Sequence, residues 1–137
     1  MTKNREMAET RPLVTISRGP CLGTCPVYSA EIYSDGTVVY VGEMFVEVVG
    51  VRRHRISEAK VRELIRAFEK ADYFSLKSVY TAEITCLPTT VTSFEWEGRR
   101  KSVKNYFGAP RKLERLENAI DRIAGLKELI GDQEWAG

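Results

Sequence analysis

The residues most able to do chemistry in this 137-residue chain are its three cysteines, two of which stand four positions apart in Pro20-Cys21-Leu22-Gly23-Thr24-Cys25-Pro26. Pro20 and Pro26 restrict the backbone on either side, Gly23 permits a tight bend, and Pro26 pushes Cys25 toward an extended conformation, so the sulfurs sit in a preset loop. The spacing does not say whether they face each other, since a disulfide needs Cα atoms within about 7 Å. Four uses stay open: packing as small hydrophobes, a loop disulfide, a metal site, and a reactive thiol or redox switch. C-x3-C is not the spacing of a common structural zinc knuckle.

The third thiol, Cys86, lies in Thr85-Cys86-Leu87-Pro88-Thr89. If the strands around the cysteine loop lie beside the hairpin that follows Cys86, the three sulfurs converge. With His54, water or a carboxylate, Cys21, Cys25 and Cys86 would then make a zinc or iron site.

These residues must be positioned by strands and helices. Leu13–Ser17 has strand composition, the cysteine loop follows, and a second strand runs from Val27 to Ser34. Asp35-Gly36 between two β-rich runs signals a hairpin into Thr37–Val41, with both turn positions wanting positive φ. Phe45–Ile56 reads as a further strand, interrupted at Gly50. The period then changes. Val61, Leu64, Ile65, Phe68 and Ala71 form the apolar face of a helix capped by Ser57. A second hairpin joins Thr90–Trp96 to Lys101–Tyr106 around Glu97–Arg100, and Pro110 opens a helix with Leu113, Leu116, Ile120 and Ile123 as its buried stripe. That helix ends at Gly125 or continues to Gly131.

The expected fold is therefore α+β: an antiparallel sheet built from hairpins, with two helices on one face, in the order ββββ-α-ββ-α. Residues 1–12, polar and of mixed charge, read as a disordered leader, 13–130 as a single domain and 131–137 as a short tail. No apolar run approaches membrane-spanning length. A native N-terminus would make the protein cytoplasmic, and a removed signal peptide would make it exported.

Other candidate chemistry is sparse. His54 is the single histidine and sits between arginines, which fits a solvated strand end better than acid–base work. No nucleophile elbow, phosphate loop or dinucleotide fingerprint occurs, so the reading leans away from an enzyme. Glu58, Glu63 and Glu69 fall on the polar side of the first helix, and Glu114, Glu117 and Asp121 on that of the second. Glu95 and Glu97 read as a solvated strand face paired with Arg or Lys across the hairpin. Three basic clusters, Arg52, Arg53, His54 and Arg55, then Arg99, Arg100 and Lys101 with Lys104, and Arg111 and Lys112 with Arg115, would together make a phosphate-contacting surface, with Tyr106 and Phe107 nearby for stacking. A net charge of +2, from 21 basic and 19 acidic residues mixed along the chain, makes nucleic acid permitted but not indicated. Exposed hairpin edges leave room for a homo-oligomer.

Pro20-Cys-x-Gly-Thr-Cys-Pro-x-Tyr28, Ile32-x-x-Asp-Gly36, Pro88-Thr89 and Tyr106-x-Gly-Ala-Pro110, with Leu113, Leu116, Glu117 and Asp121, resemble a family of bacterial domains of unknown function. The resemblance implies no activity. Its members often look exported or lipid-anchored, which would suit a Cys21–Cys25 disulfide, and Cys86 stands where the family pattern more often has Asp. The expected function is a non-catalytic binding or structural module with a disulfide or redox-sensitive cysteine loop. The alternatives are the three-cysteine zinc or iron site and a nucleic-acid-binding module.

Overall fold

Alternation of side chains along each strand decides which residues face inward, and the strand registers line those residues up in rows across one sheet. The computed structural model describes residues 11–83 and 87–131; the expected leader falls almost wholly outside them, as do Cys86 and the tail beyond Gly131. Among the described residues seven strands form one sheet: β1 Val14–Arg18, β2 Val27–Ile32, β3 Thr37–Met44, β4 Gly50–Arg55, β5 Val79–Tyr80, β6 Thr90–Trp96 and β7 Arg99–Asn105. Their order is β4-β3-β2-β1-β6-β7-β5. All neighbours are antiparallel except β5, which adds two parallel pairings to the end of β7.

Among the described residues the helices are α1 Glu58–Lys70, α2 Arg111–Ile123 and a short α3 Lys127–Ile130, with a 3₁₀ turn at Tyr73–Ser75. Ser57 caps α1 by accepting a hydrogen bond from the Lys60 amide at 3.2 Å, as its residue type demands. Val61, Leu64 and Phe68 of α1, Leu113, Leu116 and Ile120 of α2, and Ile130 of α3 join Val14, Ile16, Ile32, Val38 and Phe94 of the strands in one core. The α+β architecture expected from the two periodicities is the one observed.

Three local expectations need correction. The β2–β3 turn holds three residues, not two: the Gly36 amide donates to the Tyr33 carbonyl at 2.9 Å, and Gly36 alone takes positive φ, at 94°. This is a type I turn followed by a left-handed residue, another standard hairpin closure. The positive-φ pair occurs instead at Glu97-Gly98, which closes β6–β7 and lets β7 begin at Arg99. Phe45–Val49 is not strand. The amides of Glu47 and Val48 donate to the carbonyls of Ile130 and Leu129, so this segment leaves the sheet to grip α3.

That detour requires Gly42. Its ordinary φ needs no glycine, but a Cβ there would collide with the Val48 carbonyl and the Tyr40 hydroxyl, which donates to that carbonyl at 2.9 Å. Gly42→Ala should therefore cost about 2 kcal/mol or more in urea unfolding, in the range of strain and overpacking. Gly23→Ala, with open space around the added methyl, should be close to neutral.

Candidate functional site

At one end of the sheet a polar row interrupts the core. Arg18 follows Val14 and Ile16 on the inward face of β1, and the registers set it between Tyr28 of β2 and Thr90 of β6, with Asn105 of β7 beyond Thr90. The neighbouring row, Ala30, Ile16, Thr92 and Val103, is nearly all apolar. Over the polar row lies α2, which presents Glu117 and Asp121 one turn apart, so that both carboxylates fall on the same helix face.

The groups interlock. One terminal nitrogen of Arg18 donates to Asp121 Oδ2 at 2.9 Å, its Nε donates to the Tyr28 hydroxyl at 2.8 Å, and its other terminal nitrogen donates to Thr90 Oγ1 at 3.2 Å. Tyr28 donates to Asp121 Oδ1 at 2.6 Å. Glu117 lies 4.0 Å from Arg18 through Oε1 and accepts from Asn105 Nδ2 at 2.9 Å through Oε2. Tyr28, Asp121 and Glu117 are 1%, 2% and 4% exposed, so a solute has no route to them.

Burial sets the protonation of this cluster. It opposes charge on Arg18, but the fields of Tyr28, Asp121 and Glu117 more than offset that, and the guanidinium is held more firmly protonated than usual. Burial drives the Tyr28 phenol upward, which keeps it a neutral donor. Burial likewise raises Glu117, to about 7, although Asn105 and Arg18 pull the other way. Desolvation is the strongest of these influences on Glu117, and Arg18, 4.0 Å away, does not cancel it.

The loop bearing Cys21 and Cys25 is the connection between the two ends of this network, Arg18 and Tyr28. The cysteines form a disulfide with Cα atoms 5.7 Å apart, and the Gly19 amide donates to the Thr89 carbonyl at 2.9 Å. The loop is thus anchored at its base and cross-linked above it. Leu22, Gly23 and Thr24 at its tip are exposed.

A three-thiolate zinc or iron site does not fit this arrangement, because the sulfurs of Cys21 and Cys25 are bonded to each other and neither is a thiolate. Cys86 lies outside the described residues. Among the described residues no group of three or more His, Cys, Asp or Glu side chains is placed to hold a metal ion.

The basic clusters do not come together. Arg52, Arg53 and His54 lie on β4 and Arg99, Arg100 and Lys101 on β7, five strand spacings or about 24 Å apart. Arg99 stacks on Phe74 with its guanidinium carbon 4.1 Å from the ring centre, and Arg100 pairs with Glu95 at 3.3 Å, the cross-strand partner its position implied. Glu97 is drawn into the turn. His54 is not at a solvated strand end. It sits opposite inward-facing Val38, and its Nε2 meets the Ala124 carbonyl at 2.7 Å; a carbonyl can only accept, so Nε2 carries the proton and closes the end of α2.

The sequence reading put Glu117 and Asp121 on the polar side of their helix, and it did not single out Arg18. Burial is the correction. The available signal was the resemblance pattern itself, which contains Tyr28, Glu117 and Asp121, together with an arginine placed just before the cysteine loop.

Residues 12–124 match a family described as a domain of unknown function, DUF6438. The chain belongs to that family. The DUF6438 match takes in the cysteine loop and every member of the buried network, and it ends at Ala124, the carbonyl held by His54. No curated protein matches the chain.

Asp121→Asn should cost about 3–5 kcal/mol in urea unfolding, because it removes the carboxylate that holds the largely buried Arg18 guanidinium at shortest range. Tyr28→Phe should cost about 1–3 kcal/mol, and the double variant should fall short of the sum by about 1 kcal/mol or more, since both act on the same contact. Glu117 makes a prediction about pH. Its folded-state pKa, about 7, lies above the ordinary 4.5, so folding favours the protonated acid. Its contribution is present below about 4.5 and is lost as pH rises through about 7. Glu117→Gln should remove that part of the stability profile, a difference of no more than roughly 3 kcal/mol across the window, measured by urea unfolding of both proteins.

Proposed function

We propose that this domain is a non-catalytic binding or structural module, working in an oxidising compartment, whose disulfide-closed β1–β2 loop is its recognition element. The observation that carries this reading is the contrast within one loop: Leu22 at the tip is 82% exposed, while the loop's two ends are locked into a buried network. An exposed apolar side chain on a tethered loop meets a partner with little ordering entropy left to lose. The buried groups, hydrogen-bonded to one another, serve to hold that loop rather than to meet a substrate.

A disulfide in a small domain persists most readily where the surroundings are oxidising, which favours the exported reading over a reducing cytoplasm. Both cysteines are half-buried, so a reductant can reach the bond and the same loop can answer to redox conditions.

Unfolded without reductant, the protein should take up an alkylating reagent at no more than one cysteine, and the chain mass should be two hydrogens short of the fully reduced value. Labelling of all three cysteines in protein purified under oxidising conditions would overturn the reading. Cys21→Ser with Cys25→Ser should lower stability by roughly 2 kcal/mol, the loop-closure entropy of so short a ring.

A further inference from the structure

Away from the cysteine loop, α1 and α2 pack side by side and leave a groove of about 570 Å³ along their outer seam. Arg66 and Lys70 of α1 and Lys112, Arg115 and Arg122 of α2 line it, against a single acid, Glu63. Glu63 is engaged by Lys60 at 3.7 Å. None of the five cations makes an ion pair among the described residues, although the chain has nearly as many acids as bases. Like charges at helical spacing repel, as Arg66 and Lys70 do at i and i+4. Lys112 adds a cation to the first turn of α2, where the helix dipole favours an anion. The concentration of unpaired positive charge is thus a cost to the fold that a bound anion would relieve.

We infer that this groove is a docking site for an acidic segment of a partner polypeptide. Its apolar lining is Ala67, Ala71 and Ala119 with the buried Leu116 and Ile123, a surface against which an extended backbone and the methylenes of Glu side chains can pack. Three of the five cations are arginines, whose planar forks match carboxylates in two-point contact. Single-stranded nucleic acid fits less well, because no aromatic side chain lines the groove for a base to stack on. An anionic membrane fits less well too, since none of the large exposed apolar side chains of the described residues borders it. The basic hollow at the β7 edge is a weaker candidate, with Arg99 already on Phe74 and Arg100 on Glu95.

The test is a titration of the full chain at low ionic strength with a Glu-rich peptide, with oligo-dT and phosphatidylserine vesicles as parallel probes. The peptide should bind with an affinity that falls as salt rises, and Arg66→Glu with Arg115→Glu should weaken it by about tenfold or more. Arg52→Glu with Arg53→Glu, exposed on β4 and equal in charge change, should leave it within about threefold. Both pairs are on the surface, and retained melting transitions show that each protein is folded. No binding of the peptide, equal losses from both pairs, or tighter binding of oligo-dT or vesicles would each overturn the inference.

Discussion

A charged guanidinium taken out of water has to find its solvation in the protein, and Arg18 finds it in a phenol, a hydroxyl and a carboxylate supplied by three different elements. Desolvation makes such a group strongly unfavourable unless its geometry is satisfied, and then intolerant of losing any one partner. This is why the arrangement constrains more than itself. Tyr28 can reach both Arg18 and Asp121 only if β2 keeps its register with β1, and Asp121 can reach them only if α2 lies across the end of the sheet. A one-residue slip of β2 would turn Tyr28 to the opposite face. Apolar contacts supply most of the burial, but they tolerate slippage that a fixed polar constellation does not.

The cysteine loop takes its position from the same constraint. Its first and last neighbours are Arg18 and Tyr28, so the chain leaves and re-enters the sheet at two points already tied together through Asp121. The disulfide then closes a much smaller ring within the loop. Rigidity is concentrated at the base, and what remains at the tip is a short exposed segment whose shape is set by covalent and buried interactions beneath it. Glu117 adds a titratable element to that foundation, because burial raises its carboxyl against the opposing pull of Asn105 and Arg18.

The C-cap of α2, one turn beyond Asp121, is held by a different device. His54 reaches across from β4 to the Ala124 carbonyl, and Gly125, at φ 73°, lets the chain turn into α3. The Phe45–Val49 segment then clasps α3 by backbone hydrogen bonds. Thus α2 is pinned from its middle to its C-cap by side chains from the sheet, which leaves its outward face, with that of α1, free to carry charge.

Local chemistry determined much of this protein. Ser57 before a helical apolar period, Pro110 before another, and β-rich runs around Asp35-Gly36 and Glu97-Gly98 carry their own instructions, because capping, turn conformation and side-chain period act over a few residues. The α+β class follows from them, and so does the preset character of the cysteine loop. The two-residue β5, the short α3 and the departure of Phe45–Val49 from the sheet have no such signature; each exists only because a distant partner, β7 or α3 itself, supplies its hydrogen bonds. The tertiary structure also decided the fate of the ionisable groups. A carboxylate on a helix ordinarily seeks water, and nothing within a few residues of Asp121 or Glu117 reveals that Arg18, about a hundred positions earlier, will be buried beneath them. The attraction that makes this burial tolerable is a property of two faces brought together by folding, and it belongs to neither segment alone.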